Sequence, residues 1–144
     1  RQFSPRAVLR RTRAFWVCCL GELAQRLHTE GYAVWLLGSP KDKEQADNIV
    51  TLCKTDCRNL CGKTDLGDAI ALLSCAQFVV SNDSGLMHVA AALDRPMVAL
   101  YGSSSPAFTP PLSGRARILK FDVPCSPCFE RTCPLGHFDC MMKL

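Results

Sequence analysis

The sequence predicts an α/β protein, with helices alternating with parallel strands in a doubly wound, Rossmann-like sheet. Segments with helical apolar spacing, each about ten residues long, alternate with short and almost continuously apolar runs. Such runs are typical of parallel strands covered on both faces. Hydrophobic residues make up 48% of the chain and charged residues 21%, which suits a packed globular core. A length of 144 residues fits one domain, or half of a two-domain enzyme.

The helices and strands are predicted from the spacing of apolar residues and from the residues that typically end a helix or a strand. The first regular helix ends before Gly31 and is marked by Leu20, Leu23, Ala24 and Leu27. The later elements are a strand over 32–37, a helix through 46–53, a polar link over 56–59, a helix marked by Leu66, Ile70 and Leu73, a strand over 78–80, a helix ending near 93 and a strand over 96–101.

Residues 1–19 differ from the rest of the chain, since they show no clean period and contain five arginines without Asp or Glu. We therefore treat 1–19 as an atypical segment of uncertain structure and 20–144 as one domain. The formal net charge is +4, but the chain without those arginines is slightly acidic. A basic nucleic-acid-binding face is not predicted. The chain starts with Arg1 rather than Met, and we expect it to be a fragment or a processed product.

A polar turn between two apolar runs is the strongest candidate site. The residues Ser81-Asn82-Asp83-Ser84-Gly85 link the strand ending at Val80 to the helix that contains His88. We expect Asn82 and Asp83 to cap this helix, and the first-turn amides near Ser84 and Gly85 to attract an anion. The alternative is an ordinary capped turn without a ligand.

Two further turns follow apolar strands and are expected at the same sheet edge. One is the segment Gly38 to Asp42, and the other is the small-residue loop Gly102 to Pro106. Because ligands of open α/β sheets bind beyond the carboxyl ends of the strands, three such turns favour a ligand site. The sequence has neither a G-x-G-x-x-G motif after the first strand nor a P-loop motif.

The run S-N-D-S-G-L-M-H-V-A-A-A-L-D-R-P-M-V-A-L-Y-G, over 81–102, resembles the signature of the bacterial lipopolysaccharide heptosyltransferases, which are family-9 glycosyltransferases. The flanks G-S-P-K-D over 38–42 and Asp65-Leu66 agree with it, and the cysteine-rich tail is similar to that of one of the two core heptosyltransferases. The resemblance covers about residues 20–144. It implies the C-terminal, nucleotide-sugar half of a two-domain GT-B fold.

The implied activity is transfer of heptose from ADP-heptose to the inner core of lipopolysaccharide. Carried over to matched positions, Ser84 and Gly85 hold the diphosphate, Asp83 binds heptose hydroxyls or caps the helix, and His88 donates to a phosphate or supports the turn. Asp42 is the candidate for a ribose contact, and a solvated helix-start carboxylate is its alternative. No catalytic residue is assigned, because the family's general base is an Asp of the N-terminal domain, and no cofactor is implied.

The expected partners are the ADP-heptose donor, the lipopolysaccharide acceptor at the membrane surface and an N-terminal domain that this chain lacks. We expect a cytoplasmic protein, with peripheral association at the inner face of the inner membrane as a further option. Three alternatives remain open: a GT-B glycosyltransferase with another donor, an inactive nucleotide-binding remnant and, less favoured, a zinc-dependent nucleic-acid module.

Ten cysteines are present, and four of them lie in a tail that starts at about residue 125: Cys125, Cys128, Cys133 and Cys140. Four thiolates in this pattern allow a structural zinc site, but the second C-x2-C pair of common zinc ribbons is absent. We expect free thiols or a redox-labile pair and assign no metal, while metal binding by the tail stays open. Cys53, Cys57 and Cys61 are expected to be small buried residues.

Overall fold

The computed structural model describes residues 5–53 and 56–144, with side chains from Val17 onward. The chain divides into two compact units, Arg1–Asp65 and Leu66–Leu144. Every strand pair in the described residues is parallel, and helices connect most successive strands. The predicted α/β class is confirmed. The boundary at residue 19 stays a prediction.

The first unit contains two helices and a two-stranded sheet. Helix α1 (Pro5–Thr29) is followed by strand β1 (Val34–Leu36), a 3-10 turn (Pro40–Asp42), helix α2 (Lys43–Cys53) and strand β2 (Cys57–Asn59). Strand β1 pairs with β2 in the register Val34–Cys57, Trp35–Arg58 and Leu36–Asn59.

The two helices of this unit pack closely. A Cβ atom at Gly21 of α1 would lie 3.0 Å from the Leu52 Cβ of α2, so the glycine permits the close approach. The hydrophobic core of this unit is small: it contains Ala24, Cys53 and Cys57, and Val34, Leu36 and Val50 pack against it. Cys61 is also buried, so the expectation for the three spaced cysteines is confirmed.

The second unit is built on a three-stranded sheet of order β3-β4-β5. Its elements are helix α3 (Leu66–Cys75), strand β3 (Val79–Asn82), helix α4 (Gly85–Ala92), strand β4 (Met97–Tyr101), strand β5 (Ala116–Lys120) and helix α5 (Asp139–Met142). Met87, Ala90 and Ala91 of α4 are buried, as are Ala99 and Tyr101 of β4. Ala90 and Ala91 therefore permit close packing of the helix on the sheet.

Several elements differ from the expectations. Helix α1 begins at Pro5 rather than near Leu20. The supposed polar link over 56–59 contains strand β2, because buried Cys57 pairs with Val34 of β1. Strand β5 was not predicted at all. Helix α3 buries Ala69 and Leu73, while Leu66 and Ile70 are exposed, so the expected apolar face was partly wrong.

Candidate functional site

The start of helix α4 is an uncapped turn with open space beside it. Ser84 rather than Asn82 or Asp83 occupies the N-cap position, with extended backbone angles (φ −156°, ψ 166°), so the predicted cap was wrong. The Ser84 hydroxyl lies 3.2 Å from the Ser81 hydroxyl and makes no cap hydrogen bond. A Cβ atom built on Gly85 meets nothing within 4 Å. Met87 N donates to the Ser84 carbonyl at 3.1 Å, whereas the amides of Gly85 and Leu86 precede it at the start of the helix and have no side-chain cap, which suits them to an anion.

Asp83 is held in place from two sides. Its Oδ2 atom accepts a 2.9 Å hydrogen bond from the Thr109 hydroxyl, and its Oδ1 atom lies 3.9 Å from His88 Nε2. The Asp83 side chain is 19% exposed, whereas that of His88 is 45% exposed. Both residues therefore have a structural partner and retain solvent access.

The loop after β4 provides the support for Asp83. The Tyr101 hydroxyl donates to the Thr109 carbonyl, and Thr109 N donates to the Ser105 carbonyl at 3.2 Å. Burial, followed by the negative charge of Asp83, raises the pKa of Tyr101. The phenol therefore remains a neutral donor, because its charged form would be buried close to a carboxylate. No local motif connects Thr109 to Asp83, and neither Thr109 nor Tyr101 is predicted as a site residue from the sequence.

Asp42 belongs to the first unit and has a local partner. Its Oδ2 atom accepts hydrogen bonds from Ser39 N at 2.9 Å and from the Ser39 hydroxyl at 2.7 Å. A carboxylate at this position stabilises the turn before α2. Its ribose contact stays a prediction.

Two of the three predicted turns come together in the second unit. Asp83 N donates to the Leu100 carbonyl at 3.3 Å, and Asn82 pairs with Leu100 in the sheet. The turn that contains Ser84 and the loop after Tyr101 therefore share the carboxyl edge of β3 and β4. The turn after β1 lies in the first unit.

The cysteine tail packs on that same loop. The Ser126 hydroxyl donates to the Gly102 carbonyl at 2.6 Å, and Phe129 N donates to the Ser103 carbonyl at 2.7 Å. All ten cysteines are free thiols. Among the described residues, no three His, Cys, Asp or Glu side chains form a group that could hold a metal ion.

A comparison with protein families decides the classification. The model described as "Glycosyltransferase family 9 (heptosyltransferase)" matches residues 20–139, a range that includes the α4 turn and most of the tail. The chain belongs to glycosyltransferase family 9. The resemblance carried by the D-S-G-x-x-H motif is thereby confirmed.

Individual members of family 9 are also similar to this chain in sequence. The chain is 54% identical over 103 residues to "Lipopolysaccharide heptosyltransferase 2" of Salmonella typhimurium, covering 69% of this chain and 30% of that protein. It is 48% identical over 103 residues to "Lipooligosaccharide heptosyltransferase 2" of Haemophilus influenzae, with the same coverage. The chain thus spans about a third of the length of these family-9 relatives.

Solved family-9 structures share the fold. The structure of E. coli ADP-heptose lps heptosyltransferase II matches with a TM-score of 0.68 and 45% identity, over 83% of this chain and 38% of that one. A family-9 glycosyl transferase from Veillonella parvula matches with a TM-score of 0.65 and 33% identity, over 69% and 28%. In the part of this family-9 chain that the structure describes, no helix has the length and apolar character needed to cross a bilayer.

Proposed function

We propose that this chain is the donor-binding part of a heptosyltransferase that moves heptose from ADP-heptose to the inner core of lipopolysaccharide. The observation that carries the proposal is the family-9 match over residues 20–139, together with 54% identity to a lipopolysaccharide heptosyltransferase. In this proposal the chain corresponds to the C-terminal half of a GT-B fold, and an N-terminal domain completes the enzyme.

The diphosphate of the donor binds at the start of helix α4. The uncapped amides of the first turn and the Ser84 hydroxyl are its hydrogen-bond donors, and the open space beside Gly85 admits the phosphates. The helix dipole adds a partial positive charge at the same point. Donors aimed at a leaving diphosphate stabilise the charge that develops as the glycosidic bond breaks, which lowers the barrier to transfer.

Asp83 has a different part in donor binding, because a carboxylate repels phosphate. Its oxygens accept hydrogen bonds, and the contacts with Thr109 and His88 restrict its orientation. We therefore assign Asp83 to the heptose hydroxyls. His88, which is exposed at the same turn, donates either to Asp83 or to a phosphate oxygen.

The remaining assignments rest on the sequence. Asp42 is proposed for the ribose, although its local bonds to Ser39 also account for its position. The base that activates the acceptor belongs to the N-terminal domain. The acceptor is the lipopolysaccharide inner core at the cytoplasmic face of the membrane, which makes the enzyme a peripheral cytoplasmic protein.

Calorimetric titration of the chain with ADP, ADP-heptose and UDP tests the donor assignment. We expect binding of ADP and ADP-heptose, and weaker or no binding of UDP. Binding of UDP without binding of ADP would contradict the heptosyltransferase proposal. Addition of a family-9 N-terminal domain to the chain, with ADP-heptose and lipopolysaccharide core acceptor, then tests for transfer, and ADP release is the readout.

A further inference from the structure

Tyr101, the last residue of strand β4, carries a hydroxyl into the core of the second unit. The residue is fully buried, as are Ala99 of the same strand and Met87 of helix α4, and the Tyr101 hydroxyl lies 3.5 Å from the Met87 sulfur. A phenylalanine would fill almost the same volume, whereas a buried hydroxyl lowers stability unless it is hydrogen-bonded. The partner of this hydroxyl therefore indicates what it does.

That partner lies in the loop after β4. The Tyr101 hydroxyl donates to the Thr109 carbonyl, eight residues further along the chain. The loop is also bonded within itself, because Phe108 N and Thr109 N donate to the Ser105 carbonyl at 3.0 and 3.2 Å. These bonds keep residues 105–109 in one compact turn, and the Tyr101 bond attaches that turn to the core.

The Thr109 side chain continues the connection to Asp83. Its hydroxyl has one proton and two acceptors within reach, Asp83 Oδ2 at 2.9 Å and the Ser105 carbonyl at 3.4 Å. The contact with the carboxylate is shorter, and a hydrogen bond to a charged acceptor is the stronger kind. The other neighbour of Asp83, His88 Nε2, is 3.9 Å away and belongs to a side chain that is 45% exposed. Thr109 is therefore the stronger restraint on the Asp83 carboxylate, and Tyr101 holds Thr109 in place.

We propose that Tyr101 is a positioning residue that sets the preference of the donor site for a sugar-bearing nucleotide over the bare nucleotide. It acts through Thr109 on Asp83 and does not itself contact the ligand. The inference rests on the proposed function, in which Asp83 binds the heptose hydroxyls and the start of helix α4 binds the diphosphate. A carboxylate that is already fixed in one orientation binds hydroxyls more tightly, because it loses little rotational freedom on binding.

The first test is the substitution Tyr101→Phe in the full chain, which keeps the buried ring and removes only the hydroxyl. Calorimetry should show an increase of about five-fold in the Kd for ADP-heptose, the effect of one hydrogen bond, and a change of less than about two-fold in the Kd for ADP. The matched control is Tyr32→Phe in the first unit, where the side chain is exposed, and it should change neither value. Equal weakening of both ligands by Tyr101→Phe would show a merely structural role and would overturn the proposal.

The second test is a double-mutant cycle that combines Tyr101→Phe with Thr109→Val. If Tyr101 acts through the Thr109 hydroxyl, its loss should have no further effect once that hydroxyl is absent. The double variant should therefore bind ADP-heptose as tightly as Thr109→Val alone, within about two-fold. Losses of affinity that multiply in the double variant would show that Tyr101 acts by another route, and the proposed connection would be wrong.

A third measurement needs no ligand. In Tyr101→Phe the amides of Phe108 and Thr109 should exchange hydrogen faster, because their turn is no longer attached to the core, while exchange in strands β3 and β4 should be unchanged. Unchanged exchange at Thr109 would contradict the inference alone. Failure of the unsubstituted chain to bind ADP-heptose would overturn the proposed function, and the inferred preference with it. Binding of ADP-heptose that Tyr101→Phe leaves intact would overturn only the inference.

Discussion

The substitution Gly85→Asp tests the proposed diphosphate site directly. Gly85 is the first residue of α4, it has no neighbour within 4 Å of a built Cβ, and its φ lies outside the left-handed region. A side chain fits there without strain, and an acidic residue in the first turn of a helix is favourable for the helix dipole. We therefore expect the variant to fold normally and to lose affinity for ADP.

The size of the loss follows from charge repulsion. A carboxylate about 5 Å from a phosphate charge costs about 3 kcal/mol at an effective dielectric constant of about 20. Gly85 is exposed, so solvent and salt screen part of this energy. We expect about 2 kcal/mol to remain, which corresponds to roughly a 30-fold increase in the Kd for ADP.

Isothermal titration with ADP measures the Kd, and circular dichroism melting checks the fold. The matched control is Gly85→Asn, which adds a side chain of nearly the same shape without the charge and should change the Kd less than about three-fold. Equal weakening by both substitutions would show that bulk rather than charge is responsible. Unchanged ADP affinity in folded Gly85→Asp would refute the location of the diphosphate.

Three other predictions concern packing and titration. Replacement of Thr109 by Val removes the hydrogen bond to Asp83. Calorimetry should then show weaker binding of ADP-heptose but not of ADP, and urea unfolding should show a loss of about 1 kcal/mol in unfolding free energy. The control Thr109→Ser should keep both the ADP-heptose affinity and the stability. The substitution Gly102→Ala should lower the Tm, because its Cβ would collide with helix α5 at a cost of about 1–3 kcal/mol, whereas Gly114→Ala has open space and should not. The pKa of Cys57 is near 9.0 in the unfolded chain and is raised by burial to about 11 in the folded chain, so the unfolding free energy should fall as pH rises through this interval. Urea titrations at several pH values should show this decline. The substitution Cys57→Ala should make the unfolding free energy less dependent on pH over the same interval.

Much of the fold is predictable because its elements carry local signals. Gly31 ends helix α1 with a φ of +89°, as its position after an apolar helical run predicts. Strand β4 is predicted almost to the residue, since a buried parallel strand is apolar on both faces. Strand β5 (Ala116–Lys120) was not predicted because all five of its residues are partly or fully exposed and two of them are charged, as is common at an edge of a sheet.

The prediction that Asn82 and Asp83 cap helix α4 was wrong for a related reason. Asn82, Asp83 and Ser84 all have side chains that cap helices, so composition alone does not distinguish them. The sheet register decides, because Asn82 pairs with Leu100 and Asp83 N still donates to the Leu100 carbonyl. The chain leaves the sheet only after Asp83, and the helix therefore starts one residue beyond Ser84.

The sequence by itself determined the α/β class, the order of most elements and the D-S-G-x-x-H turn that places the chain in family 9. Only the tertiary structure decided what the turn touches. Asp83 and Thr109 are 26 residues apart, and they meet because β3 and β4 pair in parallel and bring both following loops to one edge. Local patterns specify helices and strands, whereas contacts between distant loops depend on strand register and packing, which no short motif encodes.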